Sequence, residues 1–161
     1  MSSVNVAVSK IIDAPADKVY PLLADYRNHH PNILPKDYFT SLEVEEGGAG
    51  EGTVFRAGLK VMGKVQRFRM RVTEPEPGRV MAETDLDKDL VTKFIVEPRG
   101  HGQSEVTIDT TFQASPGLKG WLERLITPGL LRRIYRVQLQ QLDNYARYIR
   151  NDDLTTALAS F

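Results

Sequence analysis

Two periods of apolar residues divide the chain. Val4, Val6 and Val8 alternate with polar positions and Ile11-Ile12 closes the run, which predicts a first strand. Asp13-Ala14-Pro15 then opens a short helix, because a proline in the first helical turn sacrifices no hydrogen bond. Val19, Leu22, Leu23 and Tyr26 follow an i, i+3, i+4, i+7 stripe, and Pro21 within it is expected to kink or shorten the helix. Asn28-His29-His30-Pro31 and Pro35 end the helical region. From Lys36 the period becomes two. Leu42 and Val44 alternate with Glu43 and Glu45. Phe55, Ala57, Leu59 and Val61 alternate with Arg56, Gly58 and Lys60, and Phe68, Met70 and Val72 with Arg67, Arg69 and Arg71. A short strand is predicted from Val80 to Thr84. Leu90, Thr92, Phe94 and Val96 form the next alternating set, and Val106, Ile108, Thr110 and Phe112 the last. Pro75-Glu76-Pro77-Gly78 and Pro98-Arg99-Gly100-His101-Gly102 are turn sequences, and no crossover helix separates the strands. The pattern predicts an antiparallel meander with one face covered and the other wet.

Pro116-Gly117 starts the C-terminal helical region, with Leu118, Trp121, Leu122 and Leu125 as one stripe and an interruption at Thr127-Pro128-Gly129. Placed at 100° per residue, Leu131, Ile134, Tyr135, Gln138, Leu142, Tyr145 and Ile149 share one face of a long helix, and Arg132, Arg133, Arg136, Gln140, Asp143 and Arg147 the other. Asp152 to Phe161 carries no stripe and is expected to fray. The whole reads as a single α+β domain over 1–161, its core from about 4 to 150. A length of 161 residues suits one core, and 41% hydrophobic content excludes a disordered chain.

Composition narrows the chemistry. With no cysteine there is no disulfide, no thiol nucleophile and no Cys-ligated metal. Lys plus Arg and Asp plus Glu are 21 each, so no net field draws in nucleic acid or an anionic membrane. No apolar run is long enough to insert in a bilayer, and Met1 to Asn5 lacks the start of a signal peptide. A cytoplasmic location is expected.

Several runs carry a resemblance. These are Ile12-Asp13-Ala14-Pro15-Ala16-Asp17-Lys18-Val19-Tyr20 with Asp25-Tyr26, Gly52-Thr53-Val54-Phe55-Arg56, Arg69-Met70-Arg71-Val72-Thr73-Glu74, and Gly100-His101-Gly102 leading into Glu105-Val106-Thr107-Ile108. Together with the order of elements, they resemble the START-like (SRPBCC) superfamily and, within it, the polyketide cyclase/dehydrase-like families. The resemblance implies a helix-grip fold: a curved antiparallel sheet of six to seven strands around the long C-terminal helix, with two short helices after strand 1. It also implies an apolar cavity between sheet and helix. Family activities range from polyketide cyclisation to lipid, sterol and hormone binding, so the fold does not assign a reaction.

The expected cavity lining is the inward set: Phe55, Leu59, Phe68, Met70, Thr92, Phe94 and Val96 on the sheet, with Leu131, Tyr135, Gln138 and Leu142 on the helix. Gln138 is the most informative, because an amide on an apolar face needs a partner, either a ligand oxygen or a backbone group. Tyr135 and Tyr38 are further candidates for ligand contact, or plain packing residues. His29-His30 lacks the spacing of a metal site and reads as a surface loop, with a base at the pocket mouth as the alternative. His101 is expected to face solvent. Glu83 with Asp85 would make a carboxylate pair, but the parity of the strand puts Glu83 on the outer face. Arg56, Lys60, Arg67, Arg69 and Arg71 form a basic stripe offset by Glu43 and Glu45 across the strands. Gly47-Gly48-Ala49-Gly50-Glu51-Gly52 reads as a mobile flap over the pocket entrance.

These features predict binding of a small hydrophobic or aromatic ligand, lipid- or polyketide-like, with no cofactor, no metal and no nucleic acid, by a monomer or weak homodimer. Two alternatives stay open. One is a cyclase/dehydratase-like enzyme acting by positioning and weak acid–base catalysis, with Tyr135 or His30 as the group to test. The other is a protein-interaction module with a closed cavity.

Overall fold

A computed structural model describes residues 2–61, 63–114 and 128–159. Strand β1 (Ser2–Ile12) leads into helix α1 (Ala16–Ala24) and a 3-10 turn (His30–Ile33). Strands β2 (Phe39–Glu46), β3 (Val54–Val61), β4 (Lys64–Glu76), β5 (Val80–Asp85), β6 (Leu90–Arg99) and β7 (Gln103–Ala114) follow, then helix α2 (Pro128–Ala159). The seven strands form one antiparallel sheet in the order β1-β7-β6-β5-β4-β3-β2. Six of them are a meander, and β1 joins beyond β7, from Ser2 opposite Ala114 to Ile12 opposite Ser104. Sheet, helix α2 and the two short helical segments make the α+β helix-grip arrangement, with the sheet left open between β1 and β2.

Local sequence explains the short elements. Pro15 caps α1 in an extended conformation, and its carbonyl accepts the N–H groups of Lys18 and Val19. Pro21 has no N–H to give, and α1 is only nine residues long. Its apolar stripe of Val19, Leu22, Leu23 and Tyr26 is buried. In the β6–β7 turn the exposed His101 takes a left-handed conformation, φ 65°.

Helix α2 buries Leu131, Ile134, Tyr135, Gln138, Leu139, Leu142 and Ala146, with Tyr145 and Ile149 packed at the edge. Asp143 departs from the expected polar face. It is buried, its Oδ1 accepts the Asp13 N–H at 2.9 Å, and its Oδ2 accepts from Arg147 at 3.0 Å. The helix needs a polar residue there because the end of β1 presents an orphan N–H. Backbone helix continues to Ala159, through most of the stretch expected to fray. The stripe of Leu118, Trp121, Leu122 and Leu125 lies outside the described residues. No described helix is long and apolar enough to cross a membrane.

Strand β5 breaks the alternation. Val80, Met81, Ala82, Glu83 and Asp85 are all buried, and only Thr84 is exposed. Register decides which face is which. Glu83 stands opposite Val72 of β4 and Thr92 of β6, and Thr92 stands opposite Thr110 of β7. Directly opposed residues in an antiparallel pair share a face. Glu83 therefore lies on the concave side, contrary to the expectation from its own strand, which was too short and too uniformly apolar to fix its orientation.

Candidate functional site

Between the concave face and α2 lies a cavity of about 90 Å³. Phe55, Leu59, Phe68, Met70, Thr92 and Phe94 from the sheet and Leu131, Tyr135 and Gln138 from α2 line it, as do Leu34, Phe39, Leu42, Ala57, Leu90 and Ile134. Leu142 and Val96 do not; both are buried in the surrounding core. Tyr38 precedes β2 and packs at the edge of the core, also off the cavity. Three polar lining residues lie outside the expected set: His30, Glu83 and Thr110.

His30 is the larger correction. Its place in a surface loop fails because it is only 2% exposed. Its ring stacks on Tyr26 with centroids 4.4 Å apart and meets Phe94 edge-on at 5.6 Å. Tyr26 stacks in turn on Phe55 at 4.8 Å. The imidazole Nδ1 lies 2.7 Å from the carbonyl oxygen of Leu23. A carbonyl only accepts, so Nδ1 carries the ring proton and Nε2 keeps a bare lone pair. Burial pushes His30 down to about 4, so the ring is neutral at physiological pH. Its neighbour His29 makes a different bond, Nδ1 to the Tyr145 hydroxyl at 2.7 Å, which ties the turn to α2.

Glu83 accepts a 2.6 Å hydrogen bond from the Tyr26 hydroxyl on Oε1, and the same oxygen lies 3.9 Å from His30 Nε2. Burial pushes its carboxyl up to about 7, against the smaller lowering effect of the Tyr26 bond. Among the described residues, no lysine or arginine lines the cavity to hold the group charged. The anticipated pairing with Asp85 is not made at this site. Asp85 Oδ1 instead accepts the N–H groups of Asp87 and Lys88, each at 2.8 Å, and shapes the β5–β6 turn.

A polar seam crosses the cavity floor along the row Glu83, Thr92, Thr110. The Thr92 and Thr110 hydroxyls are 2.7 Å apart, and the Tyr135 hydroxyl reaches Thr110 from α2 at 2.5 Å. Burial pushes the Tyr135 phenol up to about 12, so the Thr92–Thr110–Tyr135 part of the seam is uncharged. Gln138 is 3% exposed, and its amide has no hydrogen-bond partner among the described residues. It sits on the lining with its polar atoms free for a bound molecule.

The glycine-rich loop is fastened rather than flap-like. Tyr26 N–H donates to the Gly48 carbonyl at 2.8 Å, Gly50 N–H to the Ala24 carbonyl at 2.9 Å, and the Arg27 guanidinium to the Gly47 carbonyl. At Gly48, φ is 145° and a Cβ would fall 2.4 Å from Arg27 Nε, so only glycine lets the loop close on α1. The loop does not line the cavity. It anchors Tyr26, and through it Glu83. On the outer face Arg56 and Arg69 stand opposite each other and both bond Glu45 Oε1, at 2.8 and 3.0 Å. The cross-strand compensation expected there is made by Glu45.

Comparison with known proteins agrees with this architecture. The family described as polyketide cyclase/dehydrase and lipid transport matches residues 3–147, and the chain belongs to that family, within the START-like SRPBCC superfamily. No curated protein sequence matches it significantly. The solution structure of KanY protein superposes with a TM-score of 0.79 at 30% identity, over 91% of this chain and 99% of that one. The crystal structure of Zhui aromatase/cyclase from Streptomyces sp. R1128 gives 0.72 at 18% identity, over 91% and 94%. Norcoclaurine synthase from Thalictrum flavum, in complex with dopamine and hydroxybenzaldehyde, gives 0.67 at 17%, over 91% and 88%. The last two likenesses are of fold.

Proposed function

We propose that the chain binds a small, largely apolar ligand, aromatic or lipid- or polyketide-like, in the cavity between sheet and α2. The observation that carries this reading is the Gln138 amide, which lines an apolar cavity with no hydrogen-bond partner among the described residues. A ligand carbonyl or hydroxyl would give it a hydrogen bond worth about 0.5–1.5 kcal/mol. Phe55, Leu59, Phe68, Met70, Phe94 and Leu131 supply apolar contact, with Leu142 supporting them from the core, and Thr92, Tyr135 and Gln138 set orientation. At about 90 Å³ the cavity is smaller than the roughly 300–1,000 Å³ of drug-sized pockets. A compact ring system suits it, and a longer chain requires the lining side chains to move.

Native mass spectrometry of the purified protein, followed by extraction, tests the proposal. The expected result is a co-purifying small molecule whose readdition raises Tm. Gln138→Leu is expected to stay folded and to weaken a carbonyl-bearing ligand about tenfold, the equivalent of about 1.4 kcal/mol. A bare protein mass together with no Tm rise across a panel of arenes and fatty acids would count against binding.

A second reading, a cyclase/dehydratase-like enzyme, is favoured by one observation: Glu83 is an ionisable group facing the cavity with its carboxyl near neutrality. Here the cavity positions a carbonyl compound and a weak acid or base does the rest. On the outer face Arg56 and Arg69 are paired with Glu45, which gives no support there to an interaction module.

A further inference from the structure

An apolar container has no need of Glu83 and His30. Both line the cavity, one from the middle of the sheet and one from the 3-10 turn, with Glu83 Oε1 and His30 Nε2 3.9 Å apart. The Leu23 carbonyl fixes the imidazole proton on Nδ1, so Nε2 is a lone-pair acceptor on the Glu83 side. Tyr26, stacked on the His30 ring, holds the same carboxyl oxygen. Tyr135 from α2 also faces Glu83, and Tyr20 and Glu74 bear on its partner Tyr26. Among the described residues no lysine or arginine lines the cavity. A carboxyl in these surroundings keeps its proton and an imidazole stays neutral. Between about pH 4.5 and 6.5 the pair is a neutral acid beside a neutral base, each in the form opposite to its usual one.

We propose that Glu83 and His30 form a bifunctional acid–base pair that interconverts the keto and enol forms of a compact neutral ketone bound in the cavity. This rests on the cavity being a small-molecule site and gives its enzymatic reading a specific reaction. The Glu83 O–H proton passes to the carbonyl oxygen. His30 Nε2 takes a hydrogen from the adjacent carbon as a proton. The C–H electron pair becomes the new C=C bond, and the carbonyl π pair becomes the O–H bond. The imidazolium and carboxylate that remain face each other, and the Nε2 proton returns to Glu83 directly or through one water. The product is an isomer of the substrate, so no oxidant, reductant or co-reactant enters. A carbonyl oxygen and its α-carbon are two bonds apart, so a ketone lying alongside the pair presents one atom to each group.

The test is α-hydrogen exchange of 2-indanone in D2O, followed by proton NMR, with binding of the same ketone followed by saturation transfer. The expected result is saturable exchange above the buffer rate. In Glu83→Gln, which is close to isosteric, the protein-dependent rate falls about 100-fold or more while the ketone still binds. The wild-type rate is expected to fall below about pH 4, where His30 protonates, and above about pH 7, where Glu83 ionises. Tyr26→Phe removes the bond that lowers the Glu83 carboxyl and moves the upper limb to higher pH. Bound ketone without protein-dependent exchange, or exchange unchanged in Glu83→Gln, overturns the acid–base pair and leaves the container reading standing. No binding of the ketone to either protein overturns both for this substrate class.

Discussion

Glu45 and Glu83 stand on opposite faces of one sheet and behave as different chemical groups. Glu45 is open to water and accepts from Arg69 and Arg56, which hold its carboxyl below the usual range. Glu83 has, among the described residues, no lysine or arginine partner and a single phenol donor, and burial pushes it up to about 7. A carboxylate in water with two guanidinium partners is a surface ornament of modest energetic weight. A carboxyl enclosed by Phe55, Tyr26, His30 and Phe94 is a proton-holding group that the fold must tolerate. The contrast shows that side of sheet, not residue type, sets what a glutamate does here.

The comparison breaks first where the enclosure is removed. Phe94 is 2% exposed and meets the His30 ring edge-on. Phe94→Ala is expected to cost about 3–5 kcal/mol, read as a lower urea midpoint, and to let water reach the pair. A loss under about 1 kcal/mol would mean that the wall collapses around the gap and the enclosure is not rigid.

The next effect is in the pH dependence. Glu83 in the folded protein, at about 7, lies above its ordinary 4.5, so the native state retains that proton and stability falls as pH rises from 4.5 to about 7. His30 in the folded protein, at about 4, lies below its ordinary 6.5, so stability is lost as pH falls from 6.5 to about 4. Each contributes a slope of about 1.4 kcal/mol per pH unit. Between 4.5 and 6.5 the two slopes oppose and the pair leaves stability nearly flat. Glu83→Gln leaves only the His30 slope, so stability is expected to climb with pH across that window. Above pH 7 the variant gains about 3 kcal/mol on the wild type relative to their difference at pH 4. Urea unfolding of both proteins at a series of pH values checks this; parallel curves would show that folding does not shift the Glu83 carboxyl.

The smallest effect belongs to the outer face. Glu45→Gln is expected to leave the unfolding midpoint within error at physiological salt, because exposed ion pairs are screened and entropically costly. A clear drop in Tm that salt does not abolish would show that the Arg56–Glu45–Arg69 cluster staples β2, β3 and β4 together.

Where strands are long and alternate cleanly, their inward faces were legible. Phe55 and Leu59 on β3, Phe68 and Met70 on β4, and Thr92 and Phe94 on β6 reach the cavity because each strand carries several turns of alternation to fix its phase. The face of α2 was legible for the same reason, with Asp143 as the exception that answers a backbone N–H from β1. Strand β5 offers four consecutive buried residues and no phase, so Glu83 was placed on the wrong side. His30 follows a second histidine and precedes a proline, a local pattern indistinguishable from a surface turn. The glycine-rich loop looked mobile because its restraints, the carbonyl of Ala24 and the guanidinium of Arg27, come from α1 and the residues after it rather than from its own residues.

The sequence by itself determined the order of elements, the helix-grip architecture, the family and most of the apolar lining. These rest on periodicity and turn chemistry, which act over a few residues. Only the tertiary structure decided the chemistry of the cavity: that Glu83 faces inward, that His30 is buried beside it as a neutral base, that the Gln138 amide has no partner among the described residues and that Leu142 stands back from the space. Those outcomes depend on strand register and on contacts between segments some 50 residues or more apart in the chain, as in Tyr26 with Glu83, |i−j| 57. Burial then sets the protonation of each group, since the charge a side chain keeps depends on what surrounds it in space.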